Sequence, residues 1–230
     1  MSGSFQDMKN VPPRMLTRIL SGVCWEGTPE SRTMALTFDD GPDPEITPAV
    51  LDTLGEAGVR GTFFLVGKRV QSHPDIVRMI AEGGHRIGNH SMSHSRMIFM
   101  KQNEVEEEID GVQKAVEDAA GVTPVMFRPP YGVFDFTCAR AVKERAMKLV
   151  LWTVLSGDYS DDSRDVILRR VTPFVRAGSI VVFHDTENGG GWDLPGIIRE
   201  IALLAGERNI RLGGVDELSL SNEISMSEEA

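Results

Sequence analysis

The chain has 230 residues, 41% hydrophobic and 25% charged, with a net charge of −10. That size and composition fit one large globular domain, and the acidic balance argues against nucleic acid, anionic membrane surfaces or strongly acidic polymers as partners. Two widely separated cysteines, Cys24 and Cys138, make no disulfide framework and read as small buried apolar residues.

Residues 1–32 read as an irregular extension, with Trp25 packing on the domain that follows. The N-terminus has no apolar core of signal-peptide type. A cytoplasmic protein is therefore expected, or a secreted or envelope protein if a leader is missing from this chain. No apolar run approaches the 18 or so residues that a membrane span needs.

The first apolar run, 34–38, leads into Asp39-Asp40-Gly41-Pro42. Thr47-Pro48 resembles a helix cap followed by proline in the first turn, and Gly58 can end that helix. After the run 62–66, Ser72 and Pro74 can open a second helix that Gly83-Gly84 closes. The run 86–90 follows. Residues 103–120 then carry apolar side chains at 105, 109, 112 and 116, a helical stripe with Gly121 behind it. Runs at 125–129, 149–154, 179–184 and 210–215 alternate with helical segments at 137–147, 162–177 and 195–207. The runs lack clean alternation, as strands covered on both faces do. Residues 219–230 are polar and acidic and predict a disordered tail.

Strand and helix thus alternate about seven times, which argues a parallel sheet with right-handed crossovers. With one helical layer the natural closure is a distorted (β/α) barrel over residues 33–218, and an open doubly wound sheet is the alternative. In such a barrel the C-terminal strand ends share one face, where active sites sit.

Three of the five histidines fall at such ends. His90 ends the third run and begins a His-x-x-x-His spacing with His94, and His184 ends the sixth. His73, before Pro74, and His85, after Gly84, read as structural or solvated. Asp39 and Asp40 end the first run, Arg128-Pro129-Pro130-Tyr131 ends the fourth, and Asp158 lies past the fifth. Alone, Asp-Gly-Pro is ordinary turn chemistry. Together, two histidines and one carboxylate with open positions fit a catalytic Zn²⁺ or a similar divalent ion. The second carboxylate then stays free to act as general base. An imidazole across the mouth, His184, titrates near neutrality and suits a general acid.

These residues carry a resemblance to a known family. Thr37-Phe38-Asp39-Asp40-Gly41-Pro42, His90-Ser91-Met92-Ser93-His94, Arg128-Pro129-Pro130-Tyr131 and Val182-Phe183-His184 resemble, in order, the motifs of the polysaccharide deacetylases, carbohydrate esterase family 4 or the NodB-homology domain. The resemblance implies a distorted barrel and one divalent metal, Zn²⁺ with Co²⁺ or Mn²⁺ as alternatives, held by Asp40, His90 and His94. It implies Asp39 as base, oriented by Arg128, and His184 as acid, oriented and charged by Asp158. It also implies Tyr131, through its backbone N–H, and Pro130 as residues that bind the substrate and its oxyanion. One motif departs from the family's Asp-x-x-Asp-Trp, since Leu155 and Tyr159 replace its first and last residues. Those two are expected to shape the substrate groove. The implied activity is hydrolysis of N-acetyl groups on N-acetylglucosamine-containing glycans of chitin or peptidoglycan type, by a monomer. The alternatives are an O-acetyl esterase of xylan type and a non-catalytic glycan-binding domain. A metal-dependent nuclease is disfavoured by the charge.

Overall fold

The computed structural model describes residues 22–160, 162–187 and 193–218. Among them nine parallel strands form one curled sheet. The strands are β1 (Val23–Cys24), β2 (Thr33–Asp39), β3 (Thr62–Leu65), β4 (Arg86–Asn89), β5 (Met126–Phe127), β6 (Lys148–Val150), β7 (Val154–Leu155), β8 (Ile180–His184) and β9 (Arg211–Gly213). Their order is β1-β6-β5-β4-β3-β2-β8-β7. β2 pairs with β8 along one edge. On its other edge it pairs with β9 at Thr33, Met34 and Ala35 and with β3 at Thr37, Phe38 and Asp39. The expected distorted (β/α) barrel is therefore present as a half-barrel.

Seven helices among the described residues provide the crossovers: α1 (Ile46–Ala57), α2 (Gly67–Ser72), α3 (Pro74–Glu82), α4 (Gln102–Ala120), α5 (Phe136–Glu144), α6 (Arg164–Val171) and α7 (Leu194–Glu207). Gly58 and Gly121 end α1 and α4 in the left-handed conformation, as their sequence positions predict.

Strand parity assigns each side chain to a layer. Leu36, Phe38, Phe63, Leu65, Val181 and Phe183 point outward under the helices, in one cluster with Val50, Leu54, Ile80, Val112 and Ile198. Phe38 stacks on Phe63 at 4.8 Å between centroids. Each fully buried phenylalanine contributes about 2 kcal/mol through the water it sheds. The opposite parity, Ala35, Phe64, Met126, Val150 and Ile180, faces the hollow of the curl. By the same alternation Thr37, Asp39 and His184 face that hollow. Both faces are covered, which is why the runs read as continuously apolar.

Four departures from the sequence reading stand out. The run 149–154 is two strands, because the chain changes partners within it. The Leu151 N–H bonds the Cys24 carbonyl at 2.8 Å, whereas the Thr153 N–H bonds the Ile180 carbonyl at 2.9 Å. Val23–Cys24, inside the expected irregular extension, is a short strand on β6, which leaves Cys24 half-buried; Trp25 packs as expected, on a cluster that includes Val23, Phe127, Cys138 and Leu149. α2 carries too little apolar periodicity to be read from sequence. The expected helix over 162–177 ends at Val171 and continues as a single 3₁₀ turn around Pro173. The expected tail at 219–230 lies outside the described residues. No helix among them is long and apolar enough to cross a membrane.

Candidate active site

The pair at the end of β2 separates because its second member leaves the strand. Asp39 keeps strand parity and points into the hollow, 3% exposed, while Asp40 turns to φ 74°. The left-handed region is costly for a residue with a Cβ, so surrounding contacts must hold it. One is the close approach of Gly41 to Asp185, where an added Cβ would strike the carboxylate. Asp185 is fully buried. It accepts a 2.6 Å hydrogen bond from Thr47 Oγ1, and its N–H bonds the Asp39 carbonyl at 3.2 Å. Burial, reinforced by the charges of Asp40 and Asp39, pushes its carboxyl up to about 8.

Arg128 holds Asp39. Its guanidinium is wholly buried, stacks 4.0 Å over the Phe64 ring, and donates to Asp39 Oδ1 at 2.6 Å and Thr37 Oγ1 at 2.7 Å. It also donates to the carbonyls of Leu151 at 3.0 Å and Val150 at 3.4 Å. Burial lowers the arginine pKa and the Asp39 charge opposes that. A buried pair this fully hydrogen-bonded fixes one carboxylate oxygen and leaves Oδ2 facing the pocket.

His90 follows β4 on the same inward parity. Its Nδ1 lies 2.7 Å from the Arg128 carbonyl. A carbonyl only accepts, so Nδ1 carries the proton and Nε2 presents a lone pair. Nε2 sits 3.3 Å from Asp40 Oδ1, and His94 Nε2 sits 3.0 Å from the same oxygen. His94 reaches it from a tight loop in which Ser91 and His94 both have positive φ, at 65° and 57°. Asn89 braces that loop by accepting from the Ser91 N–H at 3.0 Å while donating to the Ile109 carbonyl of α4.

Asp40 Oδ1 is thus buried without a hydrogen-bond partner, although two imidazole nitrogens crowd it. Two imidazole nitrogens converging on one carboxylate oxygen at 3.0 and 3.3 Å make a point that a cation would suit. Asp40, His90 and His94 offer ligand atoms all within 4.8 Å of one another. One carboxylate and two imidazoles, the second imidazole nitrogen of His90 bonded to a carbonyl, suit Zn²⁺ or a similar divalent ion. Burial works to raise the Asp40 pKa, yet the contacts with His90 and His94 hold it far below the ordinary carboxylate value.

Across the hollow, Asp158 Oδ1 lies 2.7 Å from His184 Nδ1, and its Oδ2 accepts the His184 N–H at 2.8 Å. Ser156 Oγ donates to Oδ1 at 2.8 Å. Burial of His184 pulls its pKa down. The Asp158 bond and charge, with Asp39 and Asp40 behind them, outweigh that and raise it to about 9. The loop carrying Asp158 is itself clamped. Gly157 has φ +77°, and a Cβ there would strike the guanidinium of Arg170, which bonds the Ser156 carbonyl and Asp162.

These groups border a pocket of about 380 Å³, lined by Asp39, Asp40, His90, His94, Tyr131, Trp152, Leu155, Tyr159 and His184. The Tyr131 ring lies 4.8 Å from His94 and the Tyr159 ring meets His184 edge-on at 5.3 Å. Arg128 and Asp158 stand buried behind the wall. Pro130 is buried in the turn that gives Tyr131 its φ of 59° and does not line the pocket. His73 and His85 lie elsewhere, and His85 Nδ1 accepts from the Gly61 N–H. Sequence reasoning gave no role to Trp152, to the Thr47–Asp185 pair, or to Thr37, which opens the first motif without standing out as a polar site residue. A larger open groove of about 900 Å³, between α2–α3 and α4, holds none of the site residues.

Residues 26–150 match the family model described as polysaccharide deacetylase. A peptidoglycan-N-acetylglucosamine deacetylase of Bacillus cereus is 37% identical over 156 residues, 68% of this chain and 57% of that protein. The deacetylase PgdA of Listeria monocytogenes is 36% identical over 155 residues, but the chain spans only 33% of its length. A chitooligosaccharide deacetylase of Rhizobium leguminosarum bv. trifolii is 34% identical over 160 residues, 70% of this chain and 74% of that one. Among solved structures, a peptidoglycan N-acetylglucosamine deacetylase superposes with a TM-score of 0.84 at 29% identity, covering 92% of this chain and 99% of that chain. A pseudoenzyme of carbohydrate esterase family 4 from Bacillus anthracis superposes at 0.78 with 27% identity, covering 87% and 70%. With its four motifs meeting in one pocket of a curled parallel sheet, the chain belongs to the polysaccharide deacetylase family.

Proposed function

We propose that the protein is a metal-dependent hydrolase that removes N-acetyl groups from N-acetylglucosamine-containing glycans of chitin or peptidoglycan type. The observation that carries this reading is the convergence of Asp40, His90 and His94 on one point, between a free carboxylate oxygen and a charged histidine. A divalent ion held by those three residues would polarise the acetyl carbonyl and make a bound water more acidic. We assign Zn²⁺ on the donor set, with Co²⁺ or Mn²⁺ as substitutes.

Asp39 is the base. Arg128 occupies its Oδ1, so Oδ2, 3.9 Å from His90 Nε2, is the oxygen that takes the proton from water. Proton transfer by a positioned group of this kind typically contributes 10²–10⁴-fold. His184 is the acid. With Nδ1 bonded to Asp158, its Nε2 carries the proton given to the leaving amine. The backbone N–H of Tyr131 supports the developing oxyanion, a contribution of about 3 kcal/mol in comparable sites. Trp152, Leu155 and Tyr159 form the apolar side of the pocket and exclude water from the acetyl methyl.

The same chemistry removes O-acetyl groups, and a folded barrel of this family can be inactive, as the Bacillus anthracis pseudoenzyme is named. One assay separates these readings. Acetate release is followed from chitin oligomers, peptidoglycan and acetylated xylan, with and without chelator. Release from the N-acetylated substrates alone, lost on chelation and restored by Zn²⁺, is expected. Release only from xylan favours the esterase, and no release from metal-loaded protein favours a binding domain.

A further inference from the structure

Two aromatic rings lie almost bare in solvent, Phe99 at 94% and Phe136 at 93% exposure. Neither belongs to the pocket, and the backbone that carries them is anchored. Phe99 adopts φ 59°, a costly conformation for an aromatic residue. Its N–H donates to Asp135 Oδ2 at 2.9 Å, while Asp135 Oδ1 caps α5 through the N–H groups of Thr137 and Cys138. One carboxylate therefore fixes the segments bearing both rings. Strained positions held this way are worth reading as functional.

The two segments also point from the pocket. His94 and Tyr131 meet ring to ring at its wall. Arg96 lies 5.2 Å over the Tyr131 ring, and Met97, fully buried, bridges Phe134 in parallel register. Phe99 and Phe136 are each two residues further on. A ribbon starting at a metal-ligand candidate thus ends in an exposed aromatic pair, five residues and at most about 18 Å away.

We propose that Phe99 and Phe136 form a distal platform on which pyranose rings of the bound glycan stack, several sugars away from the acetyl group being removed. The inference rests on the glycan reading above. A pyranose presents a face of axial C–H groups that matches the face of an aromatic ring, and it needs no charge. Arg96, over the Tyr131 ring, lies along the ribbon between the pocket and the pair and offers donors to the sugar hydroxyls. Two phenylalanines offer roughly 400 Å², about half of what each partner in a stable protein interface contributes. A sugar chain continuous with the pocket therefore fits better than a second copy of this protein.

The test uses chitin oligomers of increasing length with wild type, Phe99→Ala, Phe136→Ala and the double variant. Truncating such exposed rings leaves the thermal midpoint unchanged, which checks the fold. For the hexamer, kcat/KM of the double variant is expected to fall about tenfold, ~1.4 kcal/mol, and for the dimer to stay within about twofold. Phe99→Trp should retain the hexamer rate. Equal loss at every length overturns the proposal, as does no loss at any length. Sedimentation showing a wild-type dimer that the double variant abolishes, with hexamer turnover unchanged, assigns the rings to self-association and also overturns it. If wild type releases no acetate from any oligomer, the deacetylase reading fails separately. Calorimetric binding of the hexamer then decides the platform: tighter binding to wild type than to the double variant supports it, and equal binding overturns it.

Discussion

Replacing Asp158 with asparagine tests the division between acid and base directly. Asp158 gives His184 two contacts, 2.7 Å to Nδ1 and 2.8 Å to the backbone N–H. Asparagine keeps the shape but not the acceptors. If its oxygen faces Nδ1–H, its amide opposes the His184 N–H; reversed, the amide meets the ring proton. Either way one contact becomes donor against donor, and the imidazolium loses its nearest negative charge. His184 stands at about 9 against an ordinary 6.5, with burial pulling it down and Asp158 the main opposing cause. Without Asp158 the alkaline limb of kcat/KM should move from about pH 9 to about pH 6.5. That is roughly 3 kcal/mol at 1.36 kcal/mol per pH unit. At pH 7.5 the protonated fraction falls from about 97% to about 9%, so the rate should drop at least about tenfold. The assay is a pH–rate profile of acetate release between pH 5 and 10, with metal content measured in parallel. A profile whose alkaline limb stays within half a pH unit of wild type, at unchanged metal content, refutes the assignment of His184 as the acid poised by Asp158.

The two carboxylates should separate by metal content: Asp39→Asn should lose turnover with about one metal per chain retained, whereas Asp40→Asn should lose both, and elemental analysis showing the opposite reverses their roles. Arg128→Met leaves the buried Asp39 charge unpaired and should destabilise the metal-free protein by about 3–5 kcal/mol; urea unfolding should show part of that loss recovered in the Asp39→Asn background, and a cost under 1 kcal/mol would mean the pair is dispensable. The metal-free protein should also lose stability as pH rises from 6 to 9. His184 contributes stability that is present below 6.5 and lost through about 9, and Asp185, held protonated to about 8, loses its share over a window that closes there. Scanning calorimetry in chelator reads this directly; a midpoint that is flat or rising over that range contradicts both shifts, and Asp185→Asn should flatten the decline.

The order of elements was legible because each strand is buried on both faces, so its composition alone marks it. What composition does not encode is partner exchange. Leu149 to Val154 reads as one run, yet the backbone turns away from β1 at Leu151 and joins β8 by Thr153. Site legibility followed chemistry in the same way. Asp39, Asp40, His90, His94 and His184 stand out as polar residues at the ends of apolar runs, and topology brings them together. Their support was hidden, because Thr37 looks like one more β-branched residue inside a strand. Asp185 looks like a turn residue after His184, and only the close approach to Gly41 gives it a place. Pro130, expected with Tyr131 at the substrate, is buried in the turn and does not line the pocket.

β2 is the strand on which three others lean, β8 along one edge and β3 and β9 along the other. Its amides should be among the last in the molecule to exchange with deuterium, since releasing them requires all three ladders to part. Asp39, the proposed base, and Asp40, a proposed metal ligand, ride at its end, while His94 and Asp158 sit on loops that open more cheaply. Wear on the site under heat or denaturant should therefore begin at the histidine loop and the acid. The base should still stand in place when the ion has already escaped, so activity would vanish well before the sheet melts and return on cooling with fresh metal.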